Sequence, residues 1–166
     1  MDPTSGTDVY RRFESRSQFQ DELRAAFELA ATQGAREIWL CDVDYADWPL
    51  GERAVVDSLA RWAHSHRRLR VLALHFDEIV RRHARWVNWR RDWAHIVECR
   101  SIENLRPEQV PRAWLAPGLH GVRLLDDRLY RGVAENRAAS MLRAAEALDE
   151  LWHQGTDAFP VYTLGL

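Results

Sequence analysis

An arginine- and tryptophan-rich segment between residues 81 and 93 carries side chains that could bind phosphate groups. Its candidate anion-binding residues are Arg81, Arg82, Arg85, Arg90 and Arg91. Trp86, Trp89 and Trp93 follow at i, i+3 and i+7, on one face of a helix. Because guanidinium groups pair with phosphates and aromatic rings stack on bases, the segment predicts a surface for nucleic acid or another polyanion. The alternative is that the tryptophans lie in the core and the arginines form a solvated face.

The charge is segregated along the chain. Residues 67–100 contain nine arginines and four acidic residues, whereas the whole chain has a net charge of −2. The local excess favours a polyanion-binding patch rather than a generally basic domain. All 23 basic residues are arginine, which excludes sites that depend on lysine, such as Schiff bases and P-loops. This usage is also typical of a high-GC bacterial genome.

Asp42, Asp44 and Asp47 follow the first predicted strand, at the edge where ligands often bind in open α/β sheets. Three carboxylates there could hold Mg²⁺. The alternative is that Asp42 caps backbone groups and that the other two are solvated in a loop. The histidines and cysteines match no zinc-binding spacing. We therefore predict no cofactor and no metal.

A single α/β domain over residues 17–166, after a flexible leader at 1–16, would have to position these side chains. From Ser17, a capping box with Gln20 predicts a helix that ends at Gly34. Strands are then predicted at 38–43, 69–74 and 96–99, with helices at 51–66 and, in one or two pieces, at 77–93. This alternation implies parallel strands joined by helices.

The second half of the chain adds antiparallel strands. Residues 113–116 predict a strand, 121–134 a hairpin around Asp126 and Asp127, 135–153 a helix, and 159–164 a last strand. The expected fold class is α/β, with a mixed, mainly parallel central sheet flanked by helices.

A histidine, an aspartate and an asparagine in this half resemble the motif of the phospholipase D superfamily. That family carries His-x-Lys-x-x-x-x-Asp on a hairpin, followed by a Gly and an Asn that lead into a helix. Here His120 and Asp127 stand at the family's spacing, and Gly132 and Asn136 precede the last helix. Val122 occupies the lysine position. The predicted order of elements over residues 36–164 is also similar to one repeat of this superfamily.

The resemblance implies a degenerate, non-catalytic domain that acts as a binding or interaction module. In the family the histidine attacks phosphorus and the lysine neutralises charge on the phosphoryl oxygens, which valine cannot do. Arg123 is adjacent, but it should point to the opposite side of the strand. One alternative is a divergent phosphodiesterase acting on nucleic acid or phospholipid, with His120 as nucleophile or acid, Asp127 orienting a histidine, and an arginine from a dimer partner replacing lysine. Another is a polyanion-binding accessory domain.

The family resemblance and the composition also predict the partners and the cellular location of the chain. The family's site is completed by two motifs, which implies a homodimer here. The chain also resembles an uncharacterised bacterial domain sometimes attached to GNAT acetyltransferases, which implies an accessory role. Cys41 and Cys99 are too few for a disulfide framework and favour the cytoplasm. Because no apolar run exceeds four residues, we predict no membrane span.

Overall fold

An eight-stranded sheet runs through the part of the chain that the computed structural model describes, residues 7–160. Its strands are β1 (Tyr10–Phe13), β2 (Glu37–Asp42), β3 (Arg68–Ala73), β4 (Val97–Ser101), β5 (Arg112–Ala116), β6 (His120–Asp126), β7 (Arg131–Glu135) and β8 (Thr156–Asp157). Their order across the sheet is β1-β7-β6-β5-β2-β3-β4-β8.

Five α-helices connect these strands within the described residues. They are α1 (Arg16–Gln33), α2 (Arg53–Trp62), α3 (Asp77–Arg82), α4 (Ala84–Asp92) and α5 (Ala138–Gln154). A turn of 3-10 helix at Pro107–Gln109 precedes β5. Between residues 7 and 160, no helix combines the length and the apolar character needed to cross a bilayer.

The sheet is mixed and flanked by helices, as predicted, but it is not mainly parallel. Only β2, β3 and β4 run parallel to one another, joined by α2 and by the α3–α4 pair. The pairs β1–β7, β7–β6, β6–β5, β5–β2 and β4–β8 are antiparallel. The sequence pattern underestimated the number of antiparallel strand pairs. Strands of a hairpin join without a helix between them, and β1 lies in the segment predicted as a leader.

Helices α1 to α4 pack on one face of the sheet, called here the α1 face, and α5 packs on the opposite α5 face. Successive side chains of β2 alternate between the two cores. Leu40 lies in the core of the α1 face, and Trp39 and Cys41 lie in the core of the α5 face. The Trp39 ring meets that of Trp152 of α5 edge to face, with ring centroids 5.7 Å apart.

Helix α1 begins two residues before the predicted capping box. Ser15 is the N-cap, and its hydroxyl accepts a hydrogen bond from the backbone N–H of Gln18 at 3.1 Å. The side chain of Gln18 in turn accepts from the N–H of Glu14 at 2.8 Å. The N-cap is thus Ser15 and not the predicted Ser17, and the Gln18 side chain bonds the residue before the N-cap rather than closing a capping box. Gly34 ends the helix with φ of 69°, which confirms the predicted C-terminus.

Residues 10–13, within the predicted leader, form the edge strand β1 against β7. Phe13 is buried, and its ring centroid lies 5.5 Å from that of Phe19. Gly132 of β7 allows this close approach, because a Cβ there would come within 2.4 Å of Phe13 Cζ and 2.2 Å of the Arg123 carbonyl oxygen. Residues 1–6 of the leader, and most of the strand predicted at 159–164, lie outside the described residues.

We predict that Gly132→Ala destabilises the fold by about 3 kcal/mol, the upper end of the usual cost of overpacking, because a backbone carbonyl must move to admit the methyl group. Denaturant titration followed by tryptophan fluorescence measures the loss. Gly118→Ala is the control, because a Cβ there would meet nothing within 4 Å. Only the unfavourable backbone φ of 80° opposes this alanine, so we expect a loss of about 1 kcal/mol. Equal losses in the two variants would contradict the packing of β1 on β7.

Candidate functional site

His120, the central residue of the predicted catalytic motif, begins β6 and lies on the α1 face. It is only 4% exposed, and its ring centroid is 6.1 Å from that of Trp114. Nearby, Arg11 of β1 donates two hydrogen bonds of 3.0 Å to the carboxylate of Glu22 of α1. Burial lowers the pKa of His120 below its ordinary value of 6.5; Arg11 also lowers it, and Glu22 opposes both. His120 is therefore a covered, neutral side chain at neutral pH.

No cation accompanies His120 on β6. Val122, at the position of the family's lysine, is buried in the apolar core of the α1 face. Arg123 lies on the α5 face, as the alternation of a strand predicts, where it lines a groove beside α5. Its Nη2 donates to Oε2 of the buried Glu135 at 2.8 Å. The nearest arginine in sequence is thus committed to the opposite side of the sheet.

Of the other two candidate catalytic residues, Asp127 lies far from His120, whereas Asn136 is next to His120 in the strand register but has its amide group already bonded. Asp127 follows the end of β6, and at about 3.3 Å per residue it lies about 20 Å from His120. Its carboxylate lies 3.2 Å from Arg112 rather than beside a histidine. Asn136 follows β7 at the His120 end of the hairpin. Its amide group, however, accepts from the N–H of Val9 and donates to the carbonyl of residue 7.

The tryptophans at 86 and 89 are core residues. Both rings are buried in the core of the α1 face, with their centroids 6.3 Å apart. The core interpretation is therefore confirmed for these two residues, and stacking of bases on them is excluded. The helix breaks at His83 into α3 and α4, one of the two forms that the sequence allowed.

The five candidate anion-binding arginines do not share one surface. Four of them are exposed: Arg81, Arg82, Arg85 and Arg91. Arg81 and Arg82 both pair with Glu78, which reduces the free positive charge. Arg90 is buried, with its guanidinium carbon 4.8 Å from the centroid of the Phe159 ring. The predicted surface is therefore wrong for Arg90 and stays a prediction for the other four.

Asp42, at the carboxyl end of β2, is almost completely buried. Its Oδ2 accepts hydrogen bonds from the backbone N–H groups of Asp44 at 3.2 Å and Tyr45 at 2.8 Å. Burial raises the pKa of Asp42 above its ordinary 3.8, although Arg112, 3.9 Å away, opposes the rise. Asp47 makes its contacts with α1 and the β6–β7 turn. Asp42 thus has the capping role that the sequence allowed, and no three potential metal ligands converge within residues 7–160.

His83 fastens this loop to the break between α3 and α4. Its Nδ1 accepts from the N–H of Gly51 at 3.0 Å, and its Nε2 donates to the carbonyl of Tyr45 at 2.8 Å. Both bonds require the neutral tautomer with hydrogen on Nε2. Tyr45 has φ of 63°, which is rare for a bulky residue, so the loop depends on such fixed contacts. Burial lowers the pKa of His83 below its ordinary 6.5.

Four arginines on the α5 face form a surface that the sequence analysis missed. They are Arg12 of β1, Arg123 of β6, Arg131 of β7 and Arg143 of α5. We call this surface the arginine trough. It comprises two grooves of about 290 and 390 Å³ that meet at Leu125, which is 64% exposed. Because the four arginines are dispersed between residues 12 and 143, only alternation within each strand could have indicated a common face.

Comparisons with known proteins identify similar folds but give no information about the site. No protein-family model matches the chain, and no curated protein matches it by sequence. Among solved structures, TrmBL2, an archaeal chromatin protein whose structure is described as showing a novel mode of DNA binding, has a TM-score of 0.64 and 11% identity. That match covers 94% of this chain and 57% of TrmBL2.

Two further similar structures are matched over their whole length. NucT from Helicobacter pylori has a TM-score of 0.62 and 5% identity, covering 92% of this chain and 100% of NucT. Nuc from Salmonella typhimurium, a phospholipase D family member, has a TM-score of 0.60 and 11% identity, covering 93% of this chain and 100% of Nuc. At such identities the likeness concerns the fold alone, and it confirms the predicted phospholipase D-like fold.

We predict that the free energy of unfolding falls as the pH is lowered from about 7 to about 5, because the unfolded chain binds a proton at His83 more readily than the fold does. The stability that the neutral His83 side chain contributes is fully present above the ordinary pKa of 6.5. It is lost as the pH falls towards the lowered pKa of His83 in the folded protein. His120 adds to the trend in the same sense.

Denaturant titrations across this pH range test the assignment. His83→Gln should be about 1 kcal/mol less stable at neutral pH, from the weakened hydrogen bonds, and its stability should depend less on pH. His64→Gln, at an exposed histidine, should keep the natural slope. An unchanged slope in His83→Gln would rule out His83 as a source of the acid sensitivity.

Proposed function

We propose that the chain is a non-catalytic domain of phospholipase D-like fold that acts as a binding or interaction module. The observation that carries this proposal is the burial of His120, which is 4% exposed beside Trp114 and the Arg11–Glu22 pair. A nucleophile must approach the reacting atom to about 3–3.5 Å. A ring that is covered by its own chain offers a phosphodiester no such approach.

Phosphoryl transfer also requires a free positive charge beside the nucleophile, and the guanidinium near His120, that of Arg11, is already paired with Glu22. Charge that develops on the phosphoryl oxygens needs a fixed cation or donor, and removing one such group typically costs about a hundredfold or more in rate. Val122 contributes only apolar surface, and Arg123 faces the other side of the sheet. Asp127, about 20 Å along the strand, cannot orient the His120 ring.

The alternative of a homodimeric phosphodiesterase is less well supported. A partner could bring an arginine, but Arg11 and Glu22 belong to the same chain as His120, so pairing with a second copy does not by itself uncover the ring. Homodimer formation, attachment to a GNAT acetyltransferase and a cytoplasmic location stay predictions. None of them is needed for the binding role.

We predict that the purified chain does not hydrolyse phosphodiesters above background, because the histidine is covered and lacks its cation. Product release is measured from bis-p-nitrophenyl phosphate, a DNA oligonucleotide and phosphatidylcholine, with His120→Ala as the matched variant. Turnover by the natural chain that disappears in His120→Ala would refute the non-catalytic role. Turnover of equal size in both proteins would come from a contaminant.

A proton NMR titration provides an independent check on the burial itself. The imidazole signal that is missing from His120→Ala should titrate below the ordinary pKa of 6.5. A signal that titrates at this value would mean that the ring is solvated, and one that titrates above it would mean that the ring is paired with a carboxylate. In that case the burial argument for the non-catalytic role would fail, whatever the activity assays show.

A further inference from the structure

We infer that the arginine trough binds the phosphate backbone of a single-stranded nucleic acid and holds it without cleavage. The inference rests on the binding role proposed above and supplies the class of partner. Its basis is the position, exposure and charge of the four arginines on the α5 face, which the sequence hypothesis for residues 81–91 did not include.

The sheet sets the spacing of the trough. Arg12, Val133 and Arg123 form a row across β1, β7 and β6. With neighbouring strands about 4.8 Å apart, the Cα atoms of Arg12 and Arg123 are about 10 Å apart. Arg131 lies two residues from Val133 on the same face, and Arg143 of α5 lines a groove together with Arg123. The guanidinium groups thus border an elongated depression rather than a single point.

The trough keeps a net positive charge. Arg12, Arg131 and Arg143 are exposed, and within residues 7–160 the only one of the four arginines with a carboxylate partner is Arg123. Its partner Glu135 is 2% exposed and lies below the surface. Two further carboxylates lie at this surface: Glu14 lines the groove that contains Arg12, and Asp126 is the cross-strand neighbour of Arg131, although its Oδ1 accepts from the backbone N–H groups of Arg128 and Leu129. Three exposed arginines therefore remain available for an anionic partner.

The shape and chemistry favour a nucleic-acid strand over other anions. Arginine forms paired hydrogen bonds with phosphate oxygens, so it suits a chain of phosphates. Leu125 exposes apolar surface where the grooves meet, which bases can contact and which a polyglutamate segment would leave unused, and Arg137 adds a further guanidinium over the Tyr10 ring, 4.1 Å from its centroid.

The location explains why binding here would not lead to cleavage. Alternate residues of β6 point to opposite faces, so Arg123 and Leu125 face the trough while His120 and Val122 face α1. A strand bound in the trough is therefore separated from His120 by the thickness of the sheet. The trough is distinct from the region where the motif of the family would act.

Fluorescence anisotropy with a labelled single-stranded oligonucleotide tests the inference on the whole chain. The trough variant combines Arg12→Gln, Arg131→Gln and Arg143→Gln, and it retains Arg123 because the loss of Arg123 would leave Glu135 buried and unpaired. The control variant removes the same charge from exposed arginines that are not anion-binding candidates, through Arg36→Gln, Arg53→Gln and Arg68→Gln. Thermal unfolding of both variants verifies that they are folded.

The natural chain and the control variant should bind, with affinity falling roughly 20- to 50-fold between about 50 and about 200 mM salt, as expected for three or four phosphate contacts. The trough variant should lose at least about tenfold in affinity, and its salt slope should fall by about 2. Cleavage is followed on gels of the same samples. Trough-dependent binding with cleavage would support the trough and contradict the non-catalytic function.

Three results would overturn the inference. The first is the absence of binding by the natural chain at about 50 mM salt. The second is an equal loss of affinity in both variants, which would assign the binding to overall charge, or a loss in the control variant alone, which would assign it to the α1 face. The third is stronger competition by polyglutamate or by phosphatidylserine vesicles than by unlabelled oligonucleotide, which would assign the trough to an acidic protein or to a membrane.

Discussion

Strand β2 is buried on both faces, and both halves of the sheet are hydrogen-bonded to it. It pairs in parallel with β3 and antiparallel with β5, and its residues from Ile38 to Asp42 are all buried. A strand of this kind requires helices on both sides. Four helices cover the α1 face, but α5 alone covers the other. A helix about 25 Å long and about 10 Å wide cannot cover eight strands that span about 34 Å, so side chains of β1 and of the ends of β6 and β7 next to their connecting turn stay exposed on the α5 face, among them Arg12, Leu125 and Arg131.

The elements with strong apolar patterns could be predicted from the sequence. Residues 38–41 and 71–74 are apolar runs of four, and α1 repeats its apolar side chains at one-turn spacing up to Gly34. Strand β1 could not be predicted, because only Phe13 of its four residues is buried and its pairing partner lies more than a hundred residues further along the chain. A single buried position shows no periodicity, and contacts at such separation leave no local signal.

The candidate site shows the same division between local and long-range information. The sequence spacing of His120 and Asp127 matches the family motif. In the structure, however, the two residues lie at opposite ends of the extended strand β6, because seven residues of extended chain separate them. The tryptophans at 86 and 89 have the helical spacing of either a binding stripe or a core, and only the packing of α4 against the sheet decides between them. The arginine trough combines four elements that meet only in the folded chain.

The pairing of β1 with β7 also constrains the order in which the protein can fold. Phe13 and the apolar side of α1 are synthesised early, yet the strand that completes their environment, β7, is made after most of the chain has been translated. Contacts between such distant segments form slowly, because the entropy of closing the loop is lost before the contacts form. During synthesis, Phe13 and the apolar side of α1 would therefore stay without this strand until the β6–β7 hairpin emerges.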